Sequence, residues 1–209
     1  MRLQIEAKRS ITICAGISQT GKSTFGIRYL LNAPNLKYRF IFDPEGEYCQ
    51  RLKVRGAASG YDLDKQLCTG WVIFDPHILF PGDMEGALSF FCEYAFLKSE
   101  RLPGRKVLGI DEVWRYCSPH GIPKALSYIN QTGRRRGLGL LLNTQEPTKL
   151  HGSLLNQVSE FVCFRLQFKE HLKLVRERGF DPERVQRLPD LHFISRTEAG
   201  GELSGEIKF

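Results

Sequence analysis

The 209 residues are 42% hydrophobic and 25% charged, a composition that can bury one sizeable core, so we expect one domain over residues 1–209. No window approaches the roughly 18 apolar residues of a membrane-spanning helix, residues 1–10 lack the apolar stretch of a secretory signal, and the six cysteines show neither disulfide nor zinc-ligand spacing. These features favour a cytoplasmic protein over secreted and membrane-spanning classes. The net charge of +7 points either to a polyanionic partner or simply to a solvated basic surface.

Apolar, β-rich runs alternate with helical patterns along most of the chain. The runs predict strands at 10–15, 39–42, 71–74, 106–110, 138–142, 160–166 and 192–195. Apolar residues at helical spacing predict helices over 22–31, 82–97 and 123–135. Such strands, nearly continuous in apolar residues and separated by helices, are typical of a mostly parallel sheet covered on both faces. Gly200 and Gly201 predict a C-terminal β-hairpin.

The turn after the first strand matches the phosphate-loop (Walker A) pattern G-x-x-x-x-G-K-[ST] in full. Gly16 lets the chain turn off the strand, and Gly21 lets backbone N–H groups close on phosphate oxygens. Lys22 supplies a positive charge for the β- and γ-phosphates, and the Ser23 hydroxyl can bind Mg²⁺. A glycine turn with a surface lysine is the alternative, but the motif follows a strand and opens a helix, as nucleotide binding requires. The predicted nucleotide-binding residues are Gly16, Ile17, Ser18, Gln19, Thr20, Gly21, Lys22, Ser23 and Thr24.

Two carboxylates end the strand predicted at 106–110. Asp111 is placed to hold Mg²⁺ through water, and Glu112 is placed to orient and polarise the water that attacks the γ-phosphate. An ordinary solvated turn is the alternative, so the functional interpretation depends on the phosphate loop upstream. A glutamate at this position favours hydrolysis over a GTPase-like switch, in which glutamine positions the water.

A polar run follows the strand at 138–142 and contains Gln145. Because open α/β sheets bind ligands beyond the carboxyl ends of their strands, we predict that Gln145 contacts the γ-phosphate or the attacking water and senses phosphate loss. A capped turn before Pro147 is the alternative. Glu47 is a further candidate for the site, although a turn carboxylate beside Tyr48 is the favoured interpretation.

Basic residues cluster in two stretches of the sequence. The first is the triplet Arg134, Arg135 and Arg136, and the second contains Lys169, His171, Lys173, Arg176 and Arg178. A loop or ring surface built from these residues could follow the phosphates of a nucleic acid. Simple solubility is the alternative.

Together these motifs resemble the HerA–FtsK superfamily of P-loop ATPases, which pump DNA as ring oligomers. The matching segments are GISQTGKST at 16–24, FIFDPEGEY at 40–48, LGIDEVW at 108–114, GRRRGLG at 133–139 and LLLNTQEP at 140–147. FIFDPEGEY is similar to the Asp-Pro-x-Gly-Glu-Tyr segment of the HerA-like branch, and FVCFRL at 161–166 resembles the family's next strand. The resemblance implies an α/β, three-layer P-loop NTPase fold of the RecA/ASCE-like type, with ATP as substrate and Mg²⁺ as cofactor.

Carried over by position, the resemblance implies nucleotide and Mg²⁺ roles for Lys22 and Ser23, an acidic (Walker B) pair at Asp111 and Glu112, and a sensor at Gln145. Such motors usually need an arginine finger from the neighbouring subunit, and that arginine can raise the rate by about 10³–10⁵. The candidates are Arg136, with its neighbours Arg134 and Arg135, and Arg165 at the end of FVCFRL. Contact with the DNA backbone or with solvent is the alternative role of the triplet.

A bare motor domain of this length is most similar to the genome-packaging ATPases of membrane-containing double-stranded DNA viruses. The resemblance therefore implies double-stranded DNA as a partner contacted without sequence reading, a homo-oligomeric ring, capsid or membrane-vertex proteins as further partners, and a location in the host cytoplasm or virion. A Zot-like nucleotide-binding assembly factor and a cellular HerA-like DNA-processing ATPase are the alternatives. A small-molecule kinase is disfavoured because residues 115–135 resemble no arginine-rich lid, and a structural DNA-binding protein because both nucleotide motifs are intact.

Overall fold

A central eight-stranded sheet dominates the computed structural model, which describes residues 10–208. The strands are β1 (Ile11–Ala15), β2 (Leu36–Phe42), β3 (Trp71–Phe74), β4 (Arg105–Ile110), β5 (Leu138–Thr144), β6 (Glu160–Cys163), β7 (His192–Thr197) and β8 (Glu202–Glu206). Their order across the sheet is β3-β2-β4-β5-β1-β6-β7-β8. Strands β1 to β6 pair in parallel, whereas β7 and β8 are antiparallel and form the C-terminal hairpin. The predicted α/β class, mostly parallel sheet and hairpin are confirmed.

Helices cover both faces of the sheet. They are α1 (Lys22–Asn32), α2 (Glu47–Leu52), α3 (Gly60–Gln66), α4 (Pro76–Leu79), α5 (Met84–Arg101), α6 (Lys124–Thr132), α7 (Gly152–Leu155), α8 (Lys169–Glu177) and α9 (Pro182–Gln186). Because side chains alternate along a strand, Ile13 of β1 packs in one apolar layer with Phe91 of α5, and Cys14 packs in the other with Phe25 of α1. Within residues 10–208, no helix is long and apolar enough to cross a bilayer.

Several predicted elements have different bounds in the structure. The helix predicted over 82–97 is Met84–Arg101, and the strands predicted at 138–142 and 192–195 run to Thr144 and Thr197. Strand β6 ends at Cys163 rather than at 166, because the chain leaves the sheet toward the phosphate loop, whose Ile17 N–H donates to the carbonyl of Arg165. Helix α6 ends at Thr132 rather than at 135, and a 3₁₀ turn over Gly133–Arg136 returns the chain to β5. Strand β2 begins three residues earlier than predicted, because the exposed Lys37 between the half-buried Leu36 and Tyr38 interrupts the apolar run.

The register of the parallel strands brings the functional turns to one edge of the sheet. Ala15 pairs with Thr144, and Leu142 pairs with Ile110. The carboxyl ends of β1, β5 and β4 therefore lie side by side, with β5 between the other two. The residues that follow these strands are the phosphate loop, Gln145 and the Asp111–Glu112 pair. This edge is where ligands of open α/β sheets bind.

Candidate active site

The phosphate loop is anchored at its start by backbone hydrogen bonds to the end of β5 and to the segment that follows β6. Gly16 N–H donates to the carbonyl of Thr144 at 3.2 Å, and Ile17 N–H donates to that of Arg165 at 3.0 Å. A Cβ on Gly16 would lie 2.5 Å from Cβ of Phe164, a distance that side chains do not tolerate. Only glycine therefore lets the loop leave β1 so close to the chain that follows β6.

The end of the loop is shaped so that backbone N–H groups face outward at the start of α1. The Thr20 hydroxyl donates to the carbonyl of Ile17 at 2.8 Å and closes the loop. Gly21 has a φ of +103°, and a Cβ there would meet Leu191 at 2.9 Å. Because Gly21 has no side chain that could cap α1, the N–H groups of the first helical turn can serve phosphate oxygens, where the helix dipole also favours negative charge.

Lys22 lies buried at the mouth of this turn, with 5% of its surface exposed. Its ammonium group donates to the carbonyl of Ile17 at 3.0 Å and lies 4.0 Å from Oε1 of Glu112. Burial lowers the pKa of Lys22, and the nearby carboxylates of Glu112 and Asp111 oppose that shift. The structure thus brings the predicted phosphate lysine and the predicted catalytic carboxylate together.

Asp111 is held in place by Asn143 at the end of the adjacent strand β5. The Asn143 side-chain amide donates to Oδ1 of Asp111 at 2.9 Å, and the same nitrogen lies 3.3 Å from the hydroxyl of Tyr48. Burial raises the pKa of Asp111 to about 7, although the hydrogen bond from Asn143 lowers it. Glu112 and Glu47 add to the increase through their negative charge. The site therefore concentrates negative charge that a cation would neutralise.

Glu112 is positioned by its backbone conformation, by two side-chain hydrogen bonds and by the buried residue that follows it. Its backbone has a φ of 47°, in the left-handed region that costs a residue with a side chain roughly 1–2 kcal/mol. Its Oε1 accepts a hydrogen bond from the Gln145 side chain at 2.7 Å, and its Oε2 accepts one from the indole N–H of Trp114 at 2.6 Å. The next residue, Val113, is fully buried in the core. Strain of this kind is common where structure serves a reaction, and here it turns the carboxylate toward Lys22.

The residues at this edge fit a hard divalent cation. Asp111 offers a carboxylate and Ser23 a hydroxyl, which are oxygen ligands of the kind that Mg²⁺ prefers. Oδ1 of Asp43 and Oδ1 of Asn143 are buried and have no hydrogen-bond partner within residues 10–208, so they can accept from waters around an ion. Asp111 and Ser23 would hold the Mg²⁺, which, when bound, would offset the negative charge of the β- and γ-phosphates.

The raised pKa of Asp111 gives a prediction for stability. Because the native carboxyl binds its proton more tightly than the unfolded chain does, its contribution favours folding at low pH and is lost as the pH rises through about 7. Asp111→Asn stays neutral and keeps an acceptor for Asn143. We therefore expect this variant to unfold several degrees above the wild type at pH 8 without Mg²⁺ and nucleotide.

Thermal unfolding followed by circular dichroism at several pH values tests this expectation. The difference in Tm should shrink as the pH falls toward 4, and Mg²⁺-dependent turnover should be lost in the same variant. A variant no more stable than the wild type at pH 8 would show that the Asp111 charge is not a burden on the fold.

Trp114 gives a second prediction, because its indole N–H holds one oxygen of Glu112. Trp114→Phe removes that donor and keeps an aromatic ring. A hydrogen bond to a charged group contributes about 1.5–3 kcal/mol, so we expect kcat to fall about tenfold or more with KM for ATP unchanged. Trp71→Phe is the matched control, since Trp71 lies on edge strand β3 beneath Arg39. A wild-type kcat in Trp114→Phe would show that the hydrogen bond from Trp114 is not needed to orient Glu112, and that the bond from Gln145 is sufficient.

The two arginine-finger candidates lie at different ends of the sheet. Arg165 is beside the phosphate loop of its own chain, where its guanidinium donates to Asp190 at 2.7 Å. Arg136 lies at the opposite edge, where it pairs with Glu100 and stacks on Phe96 with 3.5 Å to the ring centroid. Neither arginine contacts Lys22 or Glu112 of its own chain. An arginine finger acts on the site of a neighbouring subunit, so such a contact is not required.

The other predicted residues divide by exposure. Arg134 and Arg135 are exposed, whereas Glu47 opens α2 with a half-exposed side chain 3.8 Å from Arg51. The field of Glu47 still reaches Lys22 and Asp111.

Sequence reasoning missed two members of the site, Asn143 and Trp114. Both stood in the motifs: Asn143 is a polar residue in a buried strand, two positions before Gln145, and Trp114 follows Glu112 by two. The signal for Asn143 is a polar side chain at the carboxyl end of an otherwise apolar strand, beside the predicted acidic pair.

Comparisons with known proteins bear on the fold. No family model matches the chain, and a search of curated proteins gives no match. Among solved structures, the chain is similar to the genome packaging NTPase B204 of Sulfolobus turreted icosahedral virus 2 in complex with AMPPCP. The identity is 21%, the TM-score is 0.74, and the match covers 97% of this chain and 99% of that one.

The second similar structure is VirB4 of Thermoanaerobacter pseudethanolicus, at 12% identity and a TM-score of 0.71, covering 100% of this chain and 92% of that one. The third is the cytoplasmic domain of the Thermomonospora curvata Type VII secretion ATPase EccC, at 14% identity and a TM-score of 0.57, covering 93% of this chain and 25% of that one. These likenesses show that the chain shares the fold of these proteins, as the predicted α/β fold requires.

Proposed function

We propose that the chain is a Mg²⁺-dependent ATPase that works as a subunit of a ring-shaped motor on double-stranded DNA, of the kind that packages viral genomes. The observation that carries the proposal is the convergence of three side chains at one sheet edge. Lys22 Nζ lies 4.0 Å from Oε1 of Glu112, which also accepts a hydrogen bond from Gln145 at 2.7 Å. A cation, a base and a polar sensor are the groups that hydrolysis of a phosphoanhydride needs.

In the proposed reaction, the phosphate loop and Lys22 hold the triphosphate at the start of α1. Glu112 accepts a proton from the attacking water. The water oxygen then bonds to the γ-phosphorus while the bond from that phosphorus to the ADP oxygen breaks. Gln145 donates to Glu112, so it is placed to respond when the γ-phosphate departs. The chain's own residues thus supply binding, orientation and proton acceptance, and the arginine finger, Arg136 or Arg165, comes from the neighbouring subunit.

The DNA motor assignment is supported by two further findings. Similar structures include a genome packaging NTPase that this chain matches over nearly its full length. The net charge of +7 suits a polyanion held through its phosphates rather than read by sequence. Capsid or membrane-vertex proteins are proposed as further partners because a packaging motor must dock where DNA enters the particle.

The experiment that tests the function is an ATPase assay with Mg²⁺, with and without duplex DNA, on protein shown to be folded. We expect turnover that rises when duplex is added, together with a larger assembly on sizing with a non-hydrolysable ATP analogue and DNA. Absence of turnover in both conditions would refute the enzyme, and turnover that ignores DNA in a persistent monomer would refute the motor and favour a nucleotide-dependent assembly factor.

A further inference from the structure

Helix α8 presents three cations in a row to solvent. Lys169, Lys173 and Arg176 are exposed and follow one another at spacings of four and three residues, so they form one stripe. His171 and Val175 on the opposite face are buried. The second basic stretch of the sequence is therefore not a uniform basic surface: His171 is internal, and the partly buried Arg178 donates to the carbonyl of Leu155.

The dimensions of this basic stripe suit the backbone of a nucleic acid. From Lys169 to Arg176 the helix rises by about 10 Å, a length over which one strand of B-form DNA presents about three phosphates. The exposed carboxylates of Glu170 and Glu177 occupy a neighbouring row to one side of the stripe. Val175 on the apolar side of α8 packs into the core, so the surface that the stripe itself presents is charged rather than apolar.

The buried face of α8 connects this stripe to the candidate active site. His171 Nε2 lies 3.2 Å from Oε2 of Glu146 and donates to it, because an ionised carboxylate only accepts. Glu146 directly follows Gln145, whose side chain donates to Glu112 at 2.7 Å. Two consecutive residues thus contact the helix on one side and the candidate base on the other.

We propose that the Lys169–Lys173–Arg176 stripe is the surface that contacts duplex DNA phosphates, and that the His171–Glu146 contact couples this surface to the hydrolytic site. This inference rests on the proposed function, because it names the partner surface and the regulation of the same site. Two consequences follow. Removing the stripe should weaken DNA binding, and cutting the His171–Glu146 contact should leave binding intact but uncouple it from turnover.

The first test compares two triple variants that lose the same charge. Lys169→Gln, Lys173→Gln and Arg176→Gln remove the stripe, and Arg28→Gln, Arg55→Gln and Lys65→Gln remove three exposed cations elsewhere. Binding to duplex DNA is measured at several salt concentrations. We expect the stripe variant to bind at least tenfold more weakly and its slope of log K against log[salt] to be less steep by about 1 for each lost phosphate contact. The control variant should bind as the wild type does.

The second test uses Glu146, which is partly exposed and lies outside the proposed reaction. Glu146→Ala should bind duplex normally and keep basal turnover, yet lose most of the stimulation by DNA. Glu146→Gln retains an acceptor for His171 and should restore stimulation. Loss of DNA binding in Glu146→Ala, or full stimulation in it, would overturn the coupling.

The outcomes separate this inference from the function it rests on. A wild type whose turnover ignores duplex DNA refutes the motor itself. A stimulated wild type with an equally stimulated stripe variant refutes the surface and leaves the motor standing. The wild type could instead bind vesicles of anionic phospholipid and not duplex DNA. If the stripe variant lost that vesicle binding, the stripe would be a membrane-binding surface and the DNA proposal would be wrong.

Discussion

Glu112→Gln is expected to lower kcat by about 10²–10⁴-fold, the contribution of a positioned general base, while ATP still binds. The amide keeps the length of the side chain but cannot take a proton from water. Its oxygen can accept from Trp114, and the Gln145 amide can turn so that its own oxygen accepts from the new NH₂ group. The network around residue 112 therefore survives the change.

Steady-state turnover and the affinity for a fluorescent ATP analogue separate the two effects. Glu93→Gln, on the exposed side of α5, is the matched control and should behave as the wild type. Undiminished turnover in Glu112→Gln would remove Glu112 as the base. Loss of nucleotide binding along with turnover would instead give Glu112 a role in building the phosphate site.

The candidate groups of the site could be predicted from the sequence because they sit at fixed positions relative to strand ends. The spacing from Gly16 to Lys22 is a local property of the loop, Asp111 directly follows an apolar run, and Gln145 follows the polar end of another strand. In a parallel sheet all such ends meet at one edge, so these residues come together whatever the details of the packing. The register confirms the edge, with β5 between the two motif strands.

Specific partners could not be predicted in the same way, because they depend on side-chain directions and on strand order. That Asn143, rather than a backbone group, holds Asp111 at 2.9 Å follows only from the pairing of β4 with β5. The contact between His171 and Glu146 joins residues 25 positions apart across a loop and a helix. An arginine finger belongs to the surface between two chains, and nothing in a single sequence determines which surface that is.

The short helices show a different limit. Ser59 caps α3 by accepting from the N–H of Asp62, and Asp181 caps α9, with Pro182 at its first position. Both are readable start signals, but α3 has 7 residues and α9 has 5, too few to establish an apolar periodicity. Long buried strands are easier to predict, because each of their residues is apolar and adds to the same signal.

The candidate site combines features that reduce stability with features that serve the reaction. Glu112 has a left-handed backbone and Asp111 is buried with its pKa raised to about 7. Replacing both by neutral, unstrained residues would favour folding, and the surrounding apolar layers must offset their cost. Both carboxylates act on Lys22, so the proposed reaction explains why such costly groups are placed here, which packing alone does not.

Lys22→Ala is expected to lower turnover by at least about 10²-fold, as when one preorganised donor to a transition-state oxyanion is removed, and to weaken ATP binding as well. The reason is electrostatic. Lys22 is 5% exposed and faces the carboxylates of Glu112 and Asp111, so its loss leaves the γ-phosphate beside negative charge without the cation that offsets it. Burial lowers the pKa of Lys22 because it disfavours the charged ammonium, and a polyanionic ligand beside the ammonium would stabilise that charge.

Arg28→Ala is the matched control, because Arg28 belongs to the same helix α1 but is exposed. It should leave turnover and affinity unchanged, and both variants should keep the wild-type circular dichroism spectrum. Full nucleotide affinity and turnover in Lys22→Ala would show that the glycine turn and the Asp111–Glu112 pair do not act together on one triphosphate. The proposed ATPase and the DNA coupling built on it would then fail together, since both require the triphosphate to sit between Lys22 and Glu112.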